Sequence, residues 1–199
     1  MGKNISSVKV IAFDFWGVFA KLNPPLNKYL KRQNISLDKY SDQIHNLIVE
    51  HDLNKITEQQ FFKKCSEIFN FEIPYPLCKY NFQKNDLNDN LIKIVKKLKE
   101  RYKIALLTNN NKEYCEEFLF KTGLNKLFDV VVLSYEVGYR KPAPEIYQIL
   151  IRRLKVKPQE ILYVDDGASK LIPAKKIGMD TIQYKGKKTD QILRKMTEN

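Results

Sequence analysis

Four short runs of apolar, β-branched and aromatic residues recur along the chain, at 8–15, 103–108 (KIALLT), 129–133 (DVVVL) and 160–164 (EILYV), with a weaker fifth at 180–184 (DTIQY). Their nearly continuous apolar character is that of strands buried on both faces. Between them, 91–102, 112–122, 145–155 and 168–177 carry apolar residues at helical spacing. Strands alternating with helices predict an α/β fold, a parallel sheet wrapped by helices.

Residues 21–85 break this rhythm. No strong strand pattern occurs there, and Pro24-Pro25, Pro74 and Pro76 punctuate what read as short helices. Apolar spacing predicts helices over 41–50 and 57–69, the second opened by a capping-box-like Thr57-Glu58-Gln59-Gln60. The segment is therefore expected to be a helical insertion between the first strand and the rest of the sheet. No internal repeat or low-complexity linker is present.

Composition narrows the class. A chain of 199 residues with 43% hydrophobic and 29% charged residues is long enough for one domain with a modest insertion, and can bury a core. No window approaches the roughly 18–20 apolar residues of a membrane span, and the first seven residues lack a secretory apolar stretch. Cys65, Cys78 and Cys115 are too few and scattered for a disulfide framework or zinc site. The expectation is a reduced cytoplasmic protein, a monomer or homodimer. Residues 1–6, MGKNIS, match the short N-myristoylation pattern, which arises often by chance. Lys+Arg of 35 against Asp+Glu of 23 gives a net charge of +12. The basic clusters at 93–99 and 185–188 fall on polar faces or ends of helices. With no aromatic-interleaved basic repeat, no nucleic-acid partner is expected; an anionic small substrate fits the charge.

Ligands of open α/β sheets sit beyond the carboxyl ends of the strands. The polar residues there are Asp14, Thr108-Asn109 and Asp165-Asp166, with Arg140-Lys141-Pro142 ahead of the helix leading into the fourth strand. A lone Asp14 reads equally as a cap, and Asn110 or Asn111 as a plain helix cap. Three carboxylates at one sheet edge, however, would raise one another's pKa unless cations intervene. Mg²⁺, a hard oxygen-ligated cation, together with Lys141, resolves that conflict. Thr108, just before a helix start, offers a hydroxyl and free main-chain N–H groups to an anion.

Four segments carry a family resemblance: IAFDFWGV (11–18), ALLTNN (105–110), EVGYRKPAPEIY (136–147) and YVDDGASKLIPAKKIGM (163–179). In these the chain resembles the haloacid dehalogenase (HAD) superfamily, in the subgroup with a helical cap inserted after the first strand. The resemblance implies a Rossmann-like core of residues 1–20 and 86–199 and a cap of residues 21–85. It implies Mg²⁺-dependent hydrolysis of a small phosphorylated metabolite, with Asp14 as nucleophile forming an aspartyl-phosphate. Thr108 and Asn109 would hold the phosphoryl oxygens, and Lys141 would neutralise charge on Asp14 and substrate. Asp14, Asp166 and the Trp16 carbonyl would ligate Mg²⁺, with Asp165 in support. Adjacent strand residues point to opposite faces, so Asp165 and Asp166 are not expected to be equivalent ligands.

Two positions depart from the pattern. Phosphatases of this family usually carry a second Asp, the general acid, where Trp16 stands. Lys170 occupies a place where related paired-Asp chains often carry Asn; it either meets the metal site or substrate, or points outward. The departures leave two alternatives open: a catalytically weak or inactive binding protein, and a metal-free 2-haloacid dehalogenase. Against dehalogenation, two bare carboxylates at 165–166 would repel a carboxylate substrate. His45 and His51 lack metal-ligand spacing and read as solvated or hydrogen-bonded, Tyr147 as packing, and Cys115 as an unactivated thiol.

Overall fold

A computed structural model of the chain describes residues 7–21, 25–75 and 86–198. The N-terminal myristoylation-like pattern, Pro24, Pro76 and Cys78 lie outside the described residues. Five parallel strands form one sheet in the order β3-β2-β1-β4-β5. They are β1 Val10–Phe13, β2 Lys103–Thr108, β3 Val130–Leu133, β4 Ile161–Asp165 and β5 Asp180–Gln183. All five expected strands are present. The first is shorter than the apolar run 8–15, because the chain leaves the sheet at Asp14 and folds into a tight turn: Phe19 and Ala20 N–H groups both reach back to the Phe15 carbonyl.

Central β1 buries both faces, which is why its sequence is continuously apolar. Ile11 and Phe13 join a core with Leu91, Ile94 and Val95 of α4 (Asp89–Leu98) and Leu193 and Met196 of α9 (Lys187–Glu198). Val10 and Ala12 face the opposite core, where α7 (Pro144–Leu154) contributes Ile146, Tyr147 and Leu150 and α8 (Ala168–Lys176) contributes Ala174. Helix α9 lies beyond the predicted periodic segments; the sequence marks only the basic cluster at 185–188, at its start, as the polar face or end of a helix. Helices thus cover both sides of the sheet, and the strand order reverses at β1. That is the switch point at which such sheets bind ligands.

Before β2 the described chain forms α1 (Pro25–Arg32), α2 (Ser41–Asp52) and α3 (Glu58–Phe69). The Thr57–Gln60 capping box is formed: Thr57 Oγ1 accepts from Gln60 N at 3.2 Å and Gln60 Oε1 from Thr57 N at 2.9 Å. These helices bury an apolar cluster of their own, including Leu30, Leu47, Phe62 and Cys65. The helix expected over 112–122 is instead a short α5 (Lys112–Cys115) that widens into a π-helical turn at Glu116–Phe120. Phe118 and Leu119 on this turn are both fully buried, and the Thr122 hydroxyl donates to the Phe118 carbonyl at 2.6 Å.

Candidate active site

The register fixes the site. Phe13 is paired with Val164, so Asp14 and Asp165 emerge side by side at the end of the sheet, with Asp14 N bonded to the Val164 carbonyl at 2.9 Å. Asp14 is almost wholly buried and its Oδ1 accepts from Phe15 N at 2.7 Å. The loop between α6 (Ser134–Val137) and α7 delivers Lys141, whose side chain has no solvent exposure. A buried ammonium is tolerated only when paired. Lys141 Nζ lies 2.8 Å from Asp14 Oδ1 and 2.8 Å from Asp165 Oδ2, and donates to the Tyr163 hydroxyl at 2.9 Å. Tyr163 in turn donates a very short bond to Asp165 Oδ2.

Asp165 Oδ1 accepts from Gly167 N at 2.8 Å, so both of its oxygens are engaged within the protein. Burial alone would raise the Asp165 pKa, but the Lys141 and Lys170 charges and the hydrogen bonds from Lys141 and Tyr163 outweigh it and hold the carboxyl low. Asp166 is different: its side chain is 44% exposed, and burial plus the neighbouring Asp14 and Asp165 charges raise its pKa against the pull of Lys170. The two adjacent carboxylates therefore have unequal environments. One oxygen from each of Asp14, Asp165 and Asp166 lies within 4.8 Å of the others, an all-oxygen set of the kind a hard divalent cation takes. Gly17, at φ +78°, brings main chain against this set; a Cβ there would meet Asp166 Oδ2 at 2.1 Å.

Lys170 does not point outward. From the first turn of α8 its Nζ reaches into the carboxylate set, 3.2 Å from Asp14 Oδ2, 3.8 Å from Asp165 Oδ1 and 3.9 Å from Asp166 Oδ1. Burial lowers its pKa, but the three carboxylates more than offset this and the ammonium is held charged.

Thr108 is fully buried at the end of β2. Asn109, expected on phosphoryl oxygens, turns its side chain elsewhere: Nδ2 donates to the Lys141 carbonyl at 2.8 Å and Oδ1 accepts from Lys141 N at 2.7 Å. Its amide fixes the loop that carries the buried lysine. Asn111 is the helix cap, Oδ1 accepting from Tyr114 N at 2.8 Å. Trp16 is half-buried with its indole edge-on to Phe15, Phe118 and Tyr114, ring centroids 5.0, 5.2 and 6.5 Å away. The position that usually carries an acid is thus part of an aromatic cluster.

The contacts between the helical insertion and the core were not legible in the sequence. The C-terminal end of α2 sits on the site's rim. Asp52 Oδ2 pairs with Arg140 Nη2 at 2.9 Å and Nε at 3.1 Å, and its carbonyl accepts from the Ser134 hydroxyl at 2.6 Å. Burial raises the Asp52 pKa, Arg140 opposes this, and the Asp14 and Lys170 charges also act on it, which places the residue within electrostatic reach of the centre. His51 is buried, stacked on Phe61 and in a very short hydrogen bond with Asn111 Nδ2; burial lowers its pKa to about 4. Tyr114 OH donates to Glu58 Oε1 at 2.6 Å, a second tie to the insertion. Cys115 is buried, which pushes its thiol pKa up and away from reactivity. The Tyr147 ring packs against Tyr163, and its hydroxyl donates to the Lys170 carbonyl at 2.5 Å.

Residues 11–184 match a family described as haloacid dehalogenase-like hydrolase. The chain belongs to this family. It is 28% identical over 188 residues to a D-ribitol-5-phosphate phosphatase of Bacteroides thetaiotaomicron, covering 88% of this chain and 91% of the relative. A pyrophosphatase PpaX of Bacillus mycoides is 27% identical, with 89% and 82% covered. In three dimensions, a wild-type HAD family enzyme of Bacteroides thetaiotaomicron, crystallised with magnesium and inorganic phosphate, superposes with a TM-score of 0.69. At 21% identity it covers 90% of this chain and 96% of its own, and shows the shared fold. The HAD-like α/β sheet and the hydrolase class expected from the sequence both hold. Among the described residues no helix is long and apolar enough to cross a membrane.

Proposed function

We propose that this HAD hydrolase is a Mg²⁺-dependent phosphatase of a small phosphorylated metabolite, working through an aspartyl-phosphate on Asp14. The observation that carries the reading is Lys141, a fully buried ammonium 2.8 Å from both Asp14 and Asp165. It pairs with the Asp14 carboxylate and holds positive charge where an incoming phosphoryl group develops negative charge. The relatives' substrates, ribitol 5-phosphate and pyrophosphate, belong to the same class of small phosphorylated compounds.

In this reading an Asp14 carboxylate oxygen attacks phosphorus and the bond to the leaving oxygen breaks. Water then attacks the same phosphorus, releasing phosphate and restoring Asp14. The Thr108 hydroxyl and the main-chain N–H of Asn109 would receive the phosphoryl oxygens, since the Asn109 side chain is committed to Lys141. Asp14, Asp166 and the Trp16 carbonyl would hold the metal, with Asp165 positioning Lys141. Bound Mg²⁺ supplies charge neutralisation that lets an anionic carboxylate approach an anionic phosphate. Residues 21–85 would serve as the cap over the site of a core made of 1–20 and 86–199, with Asp52 and Arg140 at its edge to meet the leaving group.

A screen of phosphorylated metabolites tests the proposal. Phosphate release should require Mg²⁺, stop in EDTA and vanish in Asp14→Asn. Chloride release from a 2-haloacid in EDTA, without phosphatase activity, would overturn it.

A further inference from the structure

Two lysines, not one, converge on the carboxylate set, and they differ in freedom. Lys141 has no exposed side-chain surface and is bonded on three sides. Lys170 is 29% exposed on its side chain and makes longer contacts, 3.2 to 3.9 Å, to one oxygen of each of the three carboxylates. Its main chain is anchored: Lys170 N bonds to the Gly167 carbonyl at 3.0 Å, and the Tyr147 hydroxyl donates to the Lys170 carbonyl at 2.5 Å. Its aliphatic stem crosses Gly167, where a Cβ would stand 3.2 Å from Cδ and 3.3 Å from Cε. The backbone is fixed, and the charged end, hydrogen-bonded to Asp14 Oδ2 at 3.2 Å, is the less buried of the two ammonium groups.

The charge count gives this arrangement a consequence. Asp14, Asp165 and Asp166 carry three negative charges, and Lys141 and Lys170 two positive ones. Adding a divalent cation to that set leaves it one charge positive. Adding the cation while Lys170 departs leaves it neutral. Two of the carboxylates the ammonium contacts, Asp14 and Asp166, are also the side chains that would hold the metal, and a like charge at such distance in a half-buried site is strongly repelled.

We propose that the Lys170 ammonium is the resident cation of this centre and that Mg²⁺ binds by exchange, displacing it from the three carboxylates toward solvent. The inference rests on the metal-dependent reading above and deepens it. The chain's own cation stabilises the metal-free site, so the metal binds more weakly than the carboxylate set alone would dictate. The site is filled only when Mg²⁺ is plentiful. Competition of this kind reduces apparent affinity by the fraction of molecules in which the lysine has already left.

The test measures the metal rather than turnover. Calorimetric titration of Mg²⁺ into the parent protein, Lys170→Asn and Lys170→Met should show at least about a tenfold tighter Kd in both variants. Removing the resident cation should also lower the melting temperature in EDTA, and saturating Mg²⁺ should recover more in the variants than in the parent. A second readout uses the unmodified protein: acetylation of Lys170, followed by mass spectrometry with an amine-reactive reagent, should rise along the same Mg²⁺ curve. Equal Mg²⁺ affinity in all three proteins, or Lys170 labelling that stays flat while the metal saturates, overturns exchange and leaves the metal reading standing. Failure of parent and variants alike to bind Mg²⁺ at millimolar concentration overturns the metal reading and exchange with it.

Discussion

The buried histidine of the insertion makes the acid stability of this protein predictable in sign and size. His51 is 8% exposed, packed on Phe61 with Tyr114 edge-on, and its ring is in hydrogen-bonding contact with Asn111. Burial lowers its pKa from 6.5 to about 4. Between those values the unfolded chain takes up a proton that the folded chain refuses, so stability is full above pH 6.5 and falls as the pH drops toward 4. At 1.36 kcal/mol per pKa unit, with both states titrating, the loss at pH 4.5 from this residue alone is about 2.5 kcal/mol. Carboxylates add their own pH dependence, so the comparison must be with His51→Gln, which keeps an acceptor for Asn111 and removes the titration, the lost ring packing being common to both pH values. Urea unfolding of both proteins at pH 7.5 and 4.5 isolates the term: the parent should lose about 2–3 kcal/mol more than the variant. His45 is the only other histidine, so the two ring resonances are easily followed by NMR. Equal losses in the two proteins, or a His51 resonance titrating near 6.5, would refute the argument.

Three substitutions probe the centre itself. Gly17→Ala should cost about 1–3 kcal/mol through its left-handed backbone, and should weaken Mg²⁺ binding because the new methyl meets Asp166; unchanged metal affinity counts against Asp166 as a ligand. Lys141→Met strips the shared partner from two buried carboxylates and should destabilise the fold by about 3–5 kcal/mol at neutral pH in denaturant titration, with much of the loss recovered in acid; a negligible change would mean the pair is solvated. Trp16→Asp should raise alkyl-phosphate hydrolysis by about tenfold or more and flatten the dependence of rate on leaving-group pKa. Rates over a leaving-group series that are already flat in the parent would mean that another group supplies the proton.

What the sequence revealed and what it hid divide along a physical line. Asp14, Thr108, Asp165 and Asp166 were legible because each interrupts or closes an apolar run, and strand ends in such sheets converge. Lys141 was legible through its place between β3 and α7 and through the family resemblance. The role of the Asn109 side chain was not: a carboxamide at a strand end suits an anion, a helix cap or another loop equally well, and only the fold decides. The same holds for His51 and Asp52. The apolar spacing predicts a helix only over 41–50 and leaves His51 solvated or hydrogen-bonded, so nothing in it says that the end of α2 packs at the rim of the site. The π-helical turn at Glu116–Phe120 left no periodic trace, since a single wide turn shifts the apolar phase by one residue and reads as noise in an eleven-residue window.

The Asn109 carboxamide presents one donor and one acceptor to a single residue, as a peptide unit does across a sheet ladder. It therefore splices the loop bearing Lys141 to the end of β2 as though one more rung had been added beyond the last strand residue. The splice depends on polarity, not shape. An aspartate at 109 would reproduce the outline but turn an oxygen toward the Lys141 carbonyl, replacing that rung with a repulsion while the bond from Lys141 N survives. The threonine hydroxyl on one strand and the ammonium from the neighbouring loop are in this way tethered to a common frame, and a displacement of either would be felt at once by the other.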